Sequence, residues 1–147
     1  LKAVVQRIRE ARVVVEGAVA GEIGAGLCVL VGVADEDGED NAHRLASKVA
    51  RMRIFENEDG KFDRSVLDTG GEVLVVSQFT LIAETKHQKG TRPDFSKAAR
   101  PERAKPLYEL FVQELRLLNV PLQTGIFGAR MQVELVNDGP LTIVVET

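Results

Sequence analysis

The chain has 147 residues, 44% hydrophobic and 28% charged, with 19 Lys+Arg against 22 Asp+Glu for a formal net charge of -3. A chain of this size buries roughly 68% of its unfolded surface, so one core and a single domain over residues 1–147 are expected without a metal or disulfide staple. One cysteine, Cys28, and two histidines, His43 and His87, exclude a disulfide framework and a cysteine zinc cage, and the mild acidity excludes a uniformly basic nucleic-acid coat.

The cysteine usage fits a reducing cytoplasm. The uncharged apolar run Ile23 to Ala34 is shorter than the ~20 residues that span a bilayer, so no membrane segment is expected. Ala3 to Ile8 and Ala11 to Glu16 are rich in β-branched residues and read as two strands, with Val19 to Ile23 as a hairpin partner after the turn at Glu16-Gly17-Ala18. Leu27 to Val33 has no polar alternation, which predicts a strand covered on both faces. After the acidic stretch 35–40, Ala42, Leu45, Ala46 and Val49 recur at helical spacing, and the acidic residues read as N-terminal capping and dipole complementarity. A calcium loop is excluded there, because its twelfth position needs Glu and position 46 is Ala.

Asp59-Gly60 predicts a tight reversal after Phe55, and Val66-Leu67 form a small apolar spot. Gly70-Gly71 mark a turn, and Glu72 to Phe79 read as a second buried strand ending in polar residues, where sites tend to lie. Residues 83–100 have no periodicity and read as a long loop. Leu107, Leu110, Phe111, Leu115 and Leu118 make the stripe of a helix over 106–118, opened by Pro101 or by Pro106. After a turn over 125–130, Met131 to Val136 alternates as a partly exposed strand, Asn137-Asp138-Gly139-Pro140 interrupts as a β-turn, and Leu141 to Val145 forms a last strand. The fold class expected is α/β with antiparallel or mixed sheets and two main helices.

No standard motif for nucleotide binding, zinc hydrolysis or a serine elbow is present, and the glycines of 21–26 fit turns. Cys28 reads as a small buried hydrophobe, and His43 and His87 as exposed. Between Glu84 and Lys105, seven basic residues (Lys86, Lys89, Arg92, Lys97, Arg100, Arg103, Lys105) face three acidic ones. That is a local positive region suited to phosphates, or else a solvated surface. Ser77-Gln78-Phe79-Thr80 offers hydroxyls, an amide and an aromatic ring for a polar ligand, or simple strand-end capping. No base stands near Thr80 in sequence to activate its hydroxyl.

At these clusters the chain resembles the D-aminoacyl-tRNA deacylase family. Ser77-Gln78-Phe79-Thr80-Leu81 matches that family's SQFTL signature, and Asn137-Asp138-Gly139-Pro140-Leu141-Thr142 is similar to its NxGP[VT]T signature, with Leu141 where Val is commoner. Gln6-Arg7, Arg53-Ile54-Phe55, Gly90 to Ser96 and Gln123 to Gly128 also look like the family pattern. The resemblance implies a compact fold with a β-barrel-like core and a cytoplasmic homodimer. The implied activity is hydrolysis of the ester between a D-amino acid, or glycine mischarged on alanine tRNA, and the 3'-terminal adenosine, with no metal or cofactor. It further implies a cis Gly139-Pro140 inserted into the other subunit's pocket to reject an L side chain, braced by Arg7. Ser77, Gln78, Phe79 and Thr80 would surround the ester, with the Phe79 and Thr80 N–H groups toward the developing oxyanion, and Met131 would form apolar wall. Thr80 is then either a nucleophile or a bystander to attack by water assisted by the RNA 2'-hydroxyl. Lys86, Lys89, Arg92 and Lys97 become tRNA contacts. A non-catalytic tRNA-binding module and a small-metabolite hydrolase are the competing readings.

Overall fold

A computed structural model describes residues 1–147. Its elements are β1 (Lys2–Val15), β2 (Ala18–Ile23), β3 (Gly26–Gly32), α1 (Glu39–Arg51), β4 (Phe55–Glu56), β5 (Phe62–Arg64), α2 (Val66–Thr69), β6 (Glu72–Ser77), a 3-10 turn (Phe79–Ile82), α3 (Pro101–Leu117), β7 (Leu122–Thr124) and β8 (Gln132–Glu146). The two strands expected before residue 16 are one continuous β1. Its charged middle, Arg9-Glu10, is simply exposed and does not break the chain direction.

β1 organises the molecule because both of its edges are used. One edge pairs antiparallel with β3 through residues 2–8 and then with β2 through residues 11–15, while the other pairs antiparallel with β8 along nearly its whole length. β3 then pairs parallel with β6, and β6 parallel with β7. The result is a mixed six-stranded sheet, as the sequence pattern predicts, in the order β2-β1-β3-β6-β7 with β8 beside β1, curled into the barrel-like core that the family resemblance implies. The short β7 lies outside the predicted strands, since three residues are too few to show a period.

Two apolar layers flank the sheet. Leu27, Val29 and Val31 point toward α1 and α3, whereas Cys28 points into a smaller cluster with Ile8, Val13, Leu74 and Val76. The uninterrupted apolar run of β3 therefore has the predicted cause, burial on both faces. In α1, Glu39 and Asp40 occupy the first turn beside the positive helix end. The cap hydrogen bond, however, runs from the Gly38 N–H to Asn41 Oδ1 at 2.9 Å, not to an acidic side chain.

α3 begins at Pro101, the earlier of the two prolines the sequence offers as its opening, and carries Pro106 in its interior. Pro106 lies on the exposed side, where the carbonyl it deprives of a partner can meet water. The buried side, Ala104, Leu107, Tyr108, Phe111, Val112 and Leu115, supplies the packing that outweighs the lost bond. The predicted apolar spot at Val66-Leu67 is α2. Ser65 Oγ accepts the Asp68 N–H, Asp68 Oδ2 accepts the Ser65 N–H, and the chain leaves through Gly70.

Candidate active site

The sequence pattern extends β6 to Phe79, but the strand ends at Ser77. The Gln78 N–H still donates to Val31 O at 2.7 Å, after which the chain curls into the 3-10 turn, whose Leu81 N–H donates to Gln78 O. This curl lies directly over β3. A Cβ at position 32 would stand 2.8 Å from Gln78 O, so only glycine at 32 lets the turn sit there. The N–H groups of Phe79 and Thr80 precede the first hydrogen-bonded step of the turn, as the opening donors of any helix do.

Beside this turn is a cleft of about 510 Å³, within the range of small-ligand sites. Ser77, Gln78 and Phe79 form one wall and Met131 with Val133 another. Val31, Val33 and Val76 form the floor, and α3 closes the side through Pro101, Ala104 and Tyr108. The structure thus brings together four residues singled out in the sequence: Ser77, Gln78, Phe79 and Met131. Thr80 is exposed, hydrogen-bonded to the Gln78 side-chain amide, and does not line the cleft.

Phe79 is 58% exposed, unusual for so large an apolar ring, and Phe95 from the 83–100 loop meets it edge-on at 5.4 Å between centroids. Tyr108 stacks obliquely on Phe127 at 5.5 Å and donates its hydroxyl to Val75 O at 3.3 Å. Sequence reasoning passes over Tyr108, and Ala99 and Ala104 beside it. Small residues on the sheet-facing side of α3, which leave room where larger ones would fill it, are the available signal. Burial pushes the Tyr108 phenol up to about 12 and the Cys28 thiol up to about 11. Both stay protonated near neutral pH, and Cys28 is no nucleophile. No group of three or more His, Cys, Asp or Glu side chains is gathered anywhere in the chain. His43 lies apart from the cleft, 3.1 Å from Glu114.

The second sequence cluster stands elsewhere. Where β1 contributes one residue, Arg7, between the pairs Gln6↔Thr142 and Ile8↔Asn137, β8 contributes four, Asp138 to Leu141. The expected turn is therefore an excursion within a single strand, and the ladder resumes on either side. Asn137 closes its base: Leu141 N–H donates to Asn137 Oδ1 at 2.7 Å and Asn137 Nδ2 donates to Leu141 O at 3.1 Å. The Gly139-Pro140 bond is cis, and Gly139 has φ +143°, a region L side chains rarely adopt.

Arg7 lies beneath this excursion, 8% exposed. Its Nε donates to Asp138 O at 3.0 Å and its Nη1 to Ile54 O at 2.8 Å, charge-assisted bonds worth about 1.5–3 kcal/mol each. Nη2 lies 3.7 Å from Glu56, and the Phe62 ring centroid is 5.8 Å from the guanidinium carbon. Neither Arg7, Gly139 nor Pro140 lines the cleft of its own chain.

The basic stretch is only partly free of partners. Lys97 sits 3.3 Å from Glu84, Lys105 3.9 Å from Glu109, and Arg103 donates to the carbonyls of Asp35 and Asp37. Glu84 accepts the N–H groups of His87 and Lys86, which with Lys97 hold its carboxyl below the usual range. Lys86, Lys89, Arg92 and Arg100 are exposed and unpaired.

Comparison with known proteins bears on both clusters. A family profile described as D-Tyr-tRNA(Tyr) deacylase matches residues 4–146. The D-aminoacyl-tRNA deacylase of Chloroflexus aurantiacus is 53% identical over 147 residues, all of this chain and 91% of the relative. That of Symbiobacterium thermophilum is 54% identical over 147 residues, all of this chain and 96% of its own. Among solved structures, the c-Myc DNA Unwinding Element Binding Protein superposes with a TM-score of 0.92 at 43% identity, covering 100% of this chain and 99% of that one. A probable eukaryotic D-amino acid tRNA deacylase, at 16% identity and a TM-score of 0.83 over 99% and 98% of the two chains, shares the fold.

Proposed function

The chain belongs to the D-aminoacyl-tRNA deacylase family of hydrolases, and from that premise we propose that it removes D-amino acids from tRNA while sparing L-aminoacyl esters. The observation that carries this reading is the cleft that joins Ser77, Gln78 and Phe79 to Met131 in a chain so similar to deacylases.

The terminal adenosine and its ester enter the cleft between the 77–79 wall and Met131. Water attacks the ester carbonyl carbon, the carbonyl oxygen gains negative charge, and the backbone N–H groups of Phe79 and Thr80 hold it. The ester bond to the ribose 3'-oxygen then breaks, the amino acid leaves as its carboxylic acid, and the 3'-oxygen takes a proton. The ribose 2'-hydroxyl relays the proton, accepting one from the attacking water as it passes its own to the departing 3'-oxygen. Burial holds Tyr108 and Cys28 protonated, and Thr80 does not line the cleft.

Selection falls to the Gly139-Pro140 excursion. Because it does not line its own chain's cleft, we assign it to the cleft of a second copy in a homodimer, where its backbone carbonyls receive the substrate amino group and leave no room for an L side chain. Glycine, having no side chain to reject, is accepted too, so glycyl-tRNA(Ala) is a second substrate. Lys86, Lys89, Arg92 and Lys97, on the loop that also supplies Phe95 to the cleft rim, meet the acceptor-stem phosphates. The setting is the cytoplasm, where charged tRNA is used.

The test is deacylation of D-Tyr-tRNA beside L-Tyr-tRNA, glycyl-tRNA(Ala) and a free D-tyrosine ester. Rapid loss of the D and glycyl esters of tRNA alone is expected. No loss above buffer would leave an RNA-binding module, and equal turnover of the free ester would leave a small-molecule hydrolase. Sedimentation at micromolar concentration is expected to give a dimer.

A further inference from the structure

The hairpin of β4 and β5 contributes nothing to the cleft and pairs only with itself, yet it holds three of the partners of Arg7. Ile54 O, just before β4, accepts Nη1; Glu56 in β4 faces Nη2; Phe62 in β5 lies over the guanidinium face. The remaining partners belong to the excursion, Asp138 O at 3.0 Å and Asp138 Oδ2 at 3.9 Å from Nε, and a Cβ on Gly139 would come within 3.2 Å of Nη2. One planar cation is therefore gripped by the hairpin on one side and by the excursion on the other.

A guanidinium donates within its plane and stacks through its face. The bonds of Nε and Nη1 fix two directions in the plane. Rotation about the line joining those bonds is restrained by what faces Nη2 and by what covers the face, and those are Glu56 and Phe62. Phe62 is 58% exposed, so its burial supplies little of the core, and its ring lies over the Arg7 cation from a backbone position that the β4–β5 pairing sets opposite Glu56. We propose that Phe62 and Glu56 are positioning residues for enantiomer selection, setting the plane of Arg7 and through it the Gly139-Pro140 excursion. This rests on the reading that the excursion screens the aminoacyl group.

The test compares Phe62→Leu, Phe62→Tyr and Glu56→Gln with the wild type by two readouts. Amide exchange of the 137–142 segment measures the coupling without reference to activity. Phe62→Leu should speed it, and Phe62→Tyr, which restores an aromatic face, should return it to the wild-type rate. In deacylation, Phe62→Leu should raise kcat/KM for L-Tyr-tRNA and lower the D/L ratio about two- to five-fold, the size of an exposed cation–ring contact, while kcat/KM for D-Tyr-tRNA holds. Glu56→Gln should act in the same direction and less. General destabilisation would lower both substrates together and would not be rescued by tyrosine. Unchanged exchange and ratio in Phe62→Leu, or an equal fall for both substrates, overturns the proposal. A wild type that does not distinguish the enantiomers, with exchange still responding to Phe62→Leu, instead overturns the functional reading and with it the role in selection.

Discussion

The turn after β6 and the excursion in β8 are both short polar departures from a strand, and they are supported in opposite ways. The first rests on the sheet itself: Gln78 is bonded to β3, the chain is seated over Gly32, and an apolar floor of Val31, Val33 and Val76 lies beneath. The second has no floor. It is closed at its base by the Asn137 side chain, clamped by one arginine, and exposed at Asp138, Gly139 and Pro140. On the proposed function, the difference separates two tasks. A wall embedded in the sheet defines a cavity and holds backbone donors still, whereas a loop held by side chains can project out of its own chain and meet another surface.

That division is broken most severely by filling the cavity. Ala129→Phe, which pushes a ring into the cleft from the 125–130 turn, should cut kcat/KM on the order of a hundred-fold for every substrate, with the thermal midpoint nearly unchanged. Gly139→Ala attacks the other region. Its Cβ would meet Leu141 N at 2.9 Å in a backbone conformation that alanine resists. The D/L ratio should fall about ten-fold as misplacement costs are shared between loop and cation, and circular dichroism should still report a folded chain. Neutralising Lys86, Lys89 and Arg92 together should leave the D/L ratio alone and make the fall of log affinity for tRNA with log salt shallower, by about one in slope for each phosphate no longer neutralised, read by filter binding at several salt concentrations. Thr80→Ala should change kcat by less than about three-fold in single-turnover assays, because the hydroxyl lies outside the cleft and no base adjoins it.

The sequence made the first region legible and obscured the second. An apolar run buried on both faces, followed by Ser-Gln-Phe-Thr, marks β6 and its end within two residues, and the burial of Cys28 follows from its place in β3. What that pattern omits is the opposite side: Tyr108 and Ala104 reach the cleft because α3 packs across the sheet, and Ala99, just before α3, because its N–H donates to Val33 O, long-range facts with no local period. Asn-Asp-Gly-Pro reads as a β-turn because each residue favours turns, and a turn ends a strand. Nothing local says that the ladder resumes beyond it, since that depends on β1 supplying only Arg7 against four residues of β8. Pro106 misleads for a related reason: a helix breaker on a solvent-facing side is tolerated when six buried residues hold the helix to the core. The family resemblance linked Arg7 to the Gly139-Pro140 segment where spacing could not, 131 residues separating Arg7 from Asp138, the residue it holds.

The measurement that tests this separation of tasks most directly is hydrolysis of L-Tyr-tRNA and D-Tyr-tRNA, followed separately, by Ala129→Phe and Gly139→Ala. The account predicts that the cleft variant loses D-Tyr-tRNA hydrolysis and gains none on the L ester, while the excursion variant keeps most of its D activity and begins to cleave L-Tyr-tRNA. A Gly139→Ala protein that is folded and still rejects L-Tyr-tRNA as the wild type does would contradict it.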